Sequence, residues 1–280
     1  MNIHTATHYG MCFGVREALR RAHDAAASGP VTMLGQLVHN PVVLEHLNTI
    51  GVREGRLDDR SSAETPRVMI TAHGAADRDR AAWREAGYQV TDTTCPLVHR
   101  AHQALATLVA QGCQPVVIGQ ATHVEVRGLT GDFPHAVVVE SAADFARLPT
   151  VERYGVVSQT TQPIARVREL VEALRRHCAP AEVLFRDTVC QPTKDRQAAM
   201  DDLCRKCDTI VVIGGHHSNN TRQLTENARA RGCRVWQVEG PEEIHADWFR
   251  GSRDVGVTAG TSTLDETVRD VIERLRRLSD

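Results

Sequence analysis

Asp92-Thr93-Thr94-Cys95-Pro96 and Asp187-Thr188-Val189-Cys190-Gln191-Pro192 are one short phrase written twice, about one small domain apart. A third cysteine, Cys12, lies in GMCFGV (10–15) near the start of the chain. Each of the three lies in or after a turn bearing Gly or Thr and precedes a helix-like segment. Their even spread suggests three similar units, each bringing one thiolate to a common point.

The text around them alternates short apolar runs with amphipathic stretches, the pattern of α/β structure. Expected strands are 31–34, 67–71, 88–92, 115–119, 136–140, 154–159, 209–214, 233–238 and 254–259. Helices are expected over 14–27, 164–177 and 264–278, where apolar residues recur at steps of three and four. VMITAHGA (68–75), VVIGQATH (116–123) and VVIGGHHS (211–218) read as one loop repeated. REAGYQVTD, AQGCQPVVIG and ARGCRVWQV read as one helix-to-strand turn repeated. The expectation is three α/β units, 13–94, 95–189 and 190–280, with an N-terminal strand in 1–12 joined to the third. Ligands of such open parallel sheets bind beyond the carboxyl ends of the strands.

Bulk properties narrow the function. The 280 residues carry a net charge of −2, are 41% hydrophobic and 24% charged, and include lysine only at Lys194 and Lys206. No overall basic field points to nucleic acid or an anionic membrane. No apolar run has the length of a membrane span, and MNIHTATHYG does not read as a secretory signal. The expected compartment is the cytoplasm, where thiols stay reduced, so the eight cysteines read as ligands or packing residues.

Cys12, Cys95 and Cys190 read as metal ligands because the motif repeats; three thiolates from distant loops suit an iron–sulfur cluster with one open iron, or a zinc with one open position. CRKC (204–207) ends a helix and has no partner pair, so it reads as packing, as do Cys113 and Cys233; Cys178 has no role. His39 and Asn40, His73, His123 with Glu125, and His216 to Asn220 crowd expected strand ends, and Ser262 lies in AGTST (259–263). Histidines, hydroxyls and amides beside glycines make an anion pocket without lysine. Glu125 is a candidate proton donor. Thr160 and Thr161 follow a strand, where the bland alternative is a helix cap. Neither a Walker A sequence nor GxGxxG is present.

Together GMCFGV, VHNPVV, TAHGA, DTTCPLV, HVEV, SQTT, DTVC, DRQAAM, SNNT and VGVTAGTST resemble, in order over most of the chain, the 4-hydroxy-3-methylbut-2-enyl diphosphate reductases of the non-mevalonate isoprenoid pathway. The resemblance implies a trefoil of three α/β domains around a [4Fe–4S] cluster, isolated as [3Fe–4S] when the open iron is lost. It implies Cys12, Cys95 and Cys190 as cluster ligands, Glu125 as the proton donor, and Thr160 as a residue that helps hold the substrate hydroxyl. The substrate diphosphate would sit among His39, His73, His123, Ser218, Asn219, Asn220 and Ser262. Two electrons from a reduced carrier such as ferredoxin or flavodoxin would give isopentenyl and dimethylallyl diphosphate. No nucleic acid or membrane partner is implied, and the protein would be a monomer or weak homodimer. Gln120, Thr122 and Val124 depart from the family's common His, Gly and Pro, and the His216–His217 pair is unexpected. A same-fold paralogue acting on another allylic diphosphate, and a sensor with structural zinc or cluster, are the competing readings.

Overall fold

The computed structural model describes residues 1–38 and 40–278, without the side chains of Pro41 and Asn219. In chain order the strands are β1 (Asn2–Thr5), β2 (Val31–Leu34), β3 (Val52–Gly55), β4 (Arg67–Ile70), β5 (Gln89–Asp92), β6 (Gln114–Ile118), β7 (Val137–Val139), β8 (Arg153–Ser158), β9 (Glu182–Phe185), β10 (Thr209–Ile213), β11 (Arg234–Val238) and β12 (Asp254–Ala259). The helices are α1 (Phe13–Ala27), α2 (Pro41–Thr49), α3 (Asp77–Glu85), α4 (Pro96–Ala110), α5 (Val124–Gly131), α6 (Ile164–His177), α7 (Gln191–Lys206), α8 (Asn219–Ala230) and α9 (Asp265–Arg277).

The strands form three parallel four-stranded sheets, in the orders β3-β2-β4-β5, β7-β6-β8-β9 and β11-β10-β12-β1. Numbered within its own sheet, each reads second, first, third, fourth. In the last sheet the fourth place is taken by β1, which pairs with β12 from Asn2↔Asp254 to Thr5↔Val257. The chain divides into two compact units. One comprises Met1–Arg16, Val38–His46 and Lys194–Asp280 and holds the sheet of β10; the other comprises Glu17–Leu37 and Leu47–Thr193 and holds the sheets of β2 and β6.

The central strands are buried over almost all of their length because both faces are covered. Val116 and Ile118 of β6 pack with Val167, Leu170 and Leu174 of α6, whereas Val117 packs with Leu105 and Leu108 of α4. Val211 and Ile213 of β10 lie in one core with Val268, Val271 and Leu275 of α9, whereas Ile210 and Val212 lie in another with Leu224 and Ala228 of α8. Among the described residues no helix is long and apolar enough to cross a membrane.

Two strands absent from the sequence reading, β3 and β9, lie at sheet edges. VREG and EVLF are four residues long and partly exposed, so they carry little apolar signal. The loop equivalence also changes. VVIGQATH and VVIGGHHS follow the first strands of their sheets, but VMITAHGA follows β4, a third strand. Its true counterparts are the loops after β8 and β12, and the loop after β2 is the first-strand member. The repeated REAGYQ, QGCQ and RGCR turns precede fourth, first and second strands, respectively. As turns they are nonetheless alike: each has a helix-ending glycine at positive φ, at Gly87, Gly112 and Gly232, and the next N–H, of Tyr88, Cys113 or Cys233, donates back to the carbonyl of Trp83 (3.2 Å), Leu108 (3.1 Å) or Ala228 (3.3 Å).

Inside the larger unit, α5 packs tightly against the segment before α3. A Cβ on Gly131 would stand 2.5 Å from that of Ala76, and one on Gly128 would stand 3.4 Å from the Ala75 backbone. Asp132 then caps α3, accepting from the N–H groups of Asp77 (2.7 Å) and Arg78 (3.0 Å). Gly131→Ala is predicted to destabilise the protein by about 1–3 kcal/mol through overpacking. Adding Ala76→Gly should recover most of that loss in urea unfolding; full additivity would show that the contact is unimportant.

Candidate active site

A sheet ordered second, first, third, fourth has its topological switch point between the first and third strands, where the outgoing connections diverge and leave a crevice. The candidate polar residues follow those strands. His123 and Glu125 come after β6 and Thr160 after β8; His73 comes after β4; Ser218 and Asn220 come after β10 and Ser262 after β12. His39, in the segment after β2, lies outside the described residues, as does the side chain of Asn219.

The cysteines follow the fourth strands. Cys95 comes after β5, Cys190 after β9 and Cys12 after β1, and each immediately precedes a helix: α4, α7 and α1. The repeated phrase now has a structural meaning. Asp92 Oδ1 accepts from Thr94 N–H (2.9 Å) and Asp187 Oδ1 from Val189 N–H (3.2 Å), so each aspartate shapes its own turn. Thr93 Oγ1 donates to the carbonyl of Ile70, and Thr188 Oγ1 to that of Ser158 (2.6 Å). Each threonine thereby pins the turn to the end of the third strand. The cysteine N–H groups then donate to the loop beyond it, Cys95 to Ala72 O (3.0 Å) and Cys190 to Thr160 O (2.9 Å).

Buried Arg80 backs the first of these turns, with Asp92 at 3.0 Å, Asp77 at 2.7 Å and Thr94 Oγ1 at 3.2 Å. Burial alone would raise the Asp92 carboxyl, but the Thr94 hydroxyl and N–H, with Arg80, hold it below its ordinary value. The Cys12 turn lacks the Asp-Thr phrase and is held by arginines: Arg196 donates to Gly10 O (2.7 Å) and Arg16 to Met11 O (3.2 Å). Arg196 is buried, a role DRQAAM did not disclose; an arginine on the covered face of a helix is the one signal available.

The donor set fits a thiolate-held metal group. Cys12, Cys95 and Cys190 are unbridged, half-buried and directly N-terminal to helices. Burial, then the neighbouring Cys233, pushes Cys204 up to about 12, and burial pushes Cys207 to about 11 and raises Cys113. All three belong to apolar cores or pack on them, in agreement with the packing reading. Cys12 belongs to the smaller unit and Cys95 and Cys190 to the larger. Among the described residues, no group of three His, Cys, Asp or Glu side chains is arranged to hold a single metal ion.

Glu125 is 1% exposed, on the first turn of α5. Its Oε1 accepts from Thr160 N–H (2.6 Å), and its Oε2 is 2.9 Å from Thr160 Oγ1. Burial outweighs both bonds and lifts the carboxyl to about 7. Such an acid is poised to give a proton at neutral pH. His123 caps α5, its Nδ1 accepting from Glu125 N–H (3.1 Å). The neutral ring therefore carries its hydrogen on Nε2, as a donor. His73 stands edge-on to His123, with ring centroids 5.6 Å apart.

Gln159, beside the threonines singled out in sequence, is fully buried. Its Oε1 accepts from Gln120 N–H (3.2 Å) and its Nε2 donates to Thr161 Oγ1 (3.0 Å), so it ties the β6 and β8 loops together. Helix α6 is capped by Pro163, so Thr160 and Thr161 are not its cap.

The smaller unit gathers a second set of donors. Buried Ser218 caps α8, its Oγ accepting from Thr221 N–H (3.4 Å) and keeping its hydrogen free to donate. Asn220 Oδ1 accepts from Thr261 N–H (3.0 Å), which leaves its amide N–H groups for a ligand. Asn40 Nδ2 donates to Ser262 O (2.9 Å). Exposed His216 and His217 precede this cap.

Comparison with known proteins places the class first. The family model described as LytB protein matches residues 3–276, and the chain belongs to that family. Curated relatives covering nearly its whole length carry a more particular name. The 4-hydroxy-3-methylbut-2-enyl diphosphate reductase of Geobacter sp. (strain M21) is 37% identical over 98% of this chain and 97% of its own. That of Aquifex aeolicus (strain VF5) is 32% identical over 100% of this chain and 98% of its own. A solved structure of (E)-4-hydroxy-3-methyl-but-2-enyl diphosphate reductase, the terminal enzyme of the non-mevalonate pathway, is 32% identical, with a TM-score of 0.72 over 99% of this chain and 100% of that one. The reductase structure from Plasmodium falciparum shares the fold, with a TM-score of 0.89 at 22% identity, over 97% of this chain and 87% of that one.

The raised Glu125 predicts a pH-dependent stability. The folded protein prefers the protonated acid, so its burial stabilises fully below pH 4.5, and that contribution is lost as pH rises through about 7. Glu125→Gln keeps both bonds to Thr160 and cannot ionise. It should match wild type in acid and exceed it by up to about 3 kcal/mol above pH 8 in urea unfolding. A gap independent of pH would mean that the carboxyl is not raised.

Proposed function

We propose that this chain reductively removes the allylic hydroxyl of 4-hydroxy-3-methylbut-2-enyl diphosphate. Two electrons and two protons enter, and water leaves with isopentenyl or dimethylallyl diphosphate. The observation that carries the reading is the buried Glu125–Thr160 pair at a sheet's switch point, in a chain aligned end to end with relatives of that name.

Cys12, Cys95 and Cys190 would be the thiolate ligands of an iron–sulfur cluster, of [4Fe–4S] type, or [3Fe–4S] after loss of the open iron. When bound, it supplies the electrons and a Lewis-acidic iron for the allylic C–O bond. Glu125 holds the proton at its carboxyl until one is needed, and Thr160 fixes that carboxyl through N–H and hydroxyl. The diphosphate takes hydrogen bonds from His123 Nε2, the Ser218 hydroxyl and the Asn220 amide, with His39, His73, Asn219 and Ser262 in the same role. The electrons come from a reduced carrier such as ferredoxin or flavodoxin. The protein works in the cytoplasm as a monomer or weak homodimer.

The test is anaerobic purification, cluster reconstitution and turnover of that diphosphate with reduced viologen. A brown protein that yields five-carbon diphosphates supports the reading; a brown inactive one assigns the fold another substrate; a colourless one removes the cluster. Serine at position 12, 95 or 190 should abolish the cluster absorbance, whereas Cys204→Ser should keep it. Glu125→Gln should keep the cluster and lose at least about a hundredfold in kcat. Wild-type kcat should fall as pH rises through about 7, where Glu125 loses its proton; a flat profile across that range would take Glu125 out of the proton step.

A further inference from the structure

The loops that carry His123 and Ser218 share a set of backbone bonds. Gly119 N–H donates to Val139 O (3.1 Å) and Gly214 N–H to Val238 O (2.8 Å). His123 N–H donates to Gln120 O (3.0 Å) and Ser218 N–H to Gly215 O (2.9 Å). Between these bonds one backbone N–H in each loop is met by a carboxylate from outside it. Ala121 N–H donates to Glu140 Oε1 (2.8 Å), and His216 N–H donates to Glu239 Oε1 (2.7 Å).

Each of these glutamates directly follows its sheet's second strand, β7 or β11. Each is itself fixed from behind: Glu140 N–H donates to Asp144 Oδ2 (2.9 Å) and Glu239 N–H to Glu243 Oε2 (3.1 Å). Glu243 also lies 3.3 Å from the His216 ring. Two sheets with dissimilar loop sequences, GQATH and GGHHS, thus keep one carboxylate strut.

We propose that Glu140 and Glu239 are positioning residues for the reaction, setting the two helix-capping residues His123 and Ser218 in donor geometry. The inference rests on the diphosphate reading of the two loops. Neither glutamate touches a reacting atom. Each holds the second N–H of its loop, and the capping residue two positions on follows. The two struts have separable consequences. The Glu140 loop also carries Glu125, the acid, whereas the Glu239 loop carries binding groups only, Ser218 and Asn220.

The experiment compares Ala and Gln at each position in the reconstituted holoenzyme, by amide exchange of peptides over 119–125 and 214–220 and by steady-state kinetics. Glutamine keeps an acceptor oxygen, so Glu140→Gln and Glu239→Gln should behave like wild type. Glu140→Ala should speed exchange in its own loop alone and lower kcat about five- to tenfold, the scale of one lost hydrogen bond. Glu239→Ala should speed exchange in the other loop and act mainly on KM, by a similar factor. Unchanged exchange in the alanine variants, or glutamine variants as impaired as alanine, would overturn the proposal. So would kinetic losses that track a fall in Tm. If wild type does not turn over the diphosphate, the reading of function fails, and loop exchange alone decides whether the struts position these residues.

Discussion

A carboxyl group without a cation beside it is buried where two parallel strands end together. The pairing of β6 with β8 places Ile118 opposite Ser158, and Gln159 N–H continues the ladder by donating to Ile118 O (2.8 Å). The next residue, Thr160, can then present N–H and hydroxyl to Glu125 across the crevice. One register step would send Thr160 to the opposite face of its strand. The acid, its capping histidine and the turn of Cys190, whose N–H meets Thr160 O, all depend on that register.

Burying a charge is costly, and the protein does so sparingly. Among the described residues the buried charged side chains are Arg80, Glu125 and Arg196, and each lies in or against a loop of the candidate site. Arg80 is paired with Asp77 and Asp92 and backs the turn of Cys95. Arg196 bonds the carbonyl of Gly10 in the turn of Cys12. Burial shifts Glu125 toward holding its proton at neutral pH, and its neutral partner Thr160 offsets that only in part. Packing cores made of valine, leucine and isoleucine need no such groups; they appear only where a loop must be held still.

Much of the site was legible because its residue types are uncommon at strand ends. Asp-Thr-x-Cys was visible as a repeat, and its bonds show why both Asp and Thr recur: one shapes the turn and the other ties it to the neighbouring strand. Gln159, Arg196, Glu140 and Glu239 were not legible. Each acts through contacts with backbone groups distant in sequence, and nothing in the neighbouring letters marks a side chain as the partner of a remote N–H or carbonyl. The misplaced equivalence of VMITAHGA has a similar cause. A short apolar strand followed by small residues looks alike at any place in a sheet, and only strand pairing distinguishes a first strand from a third.

The sequence by itself determined the α/β class, the central strands, the three dispersed cysteines and the set of polar residues at strand ends. These follow from local periodicity and from residue chemistry, which neighbouring letters express. Tertiary structure alone decided the strand order within each sheet, the edge strands β3 and β9, and the place of β1 as fourth strand beside β12. It also decided that Glu125 is buried against Thr160 and so holds its proton near neutrality. Strand order and burial are set by which surfaces exclude water together, a property of pairs of segments far apart in the chain.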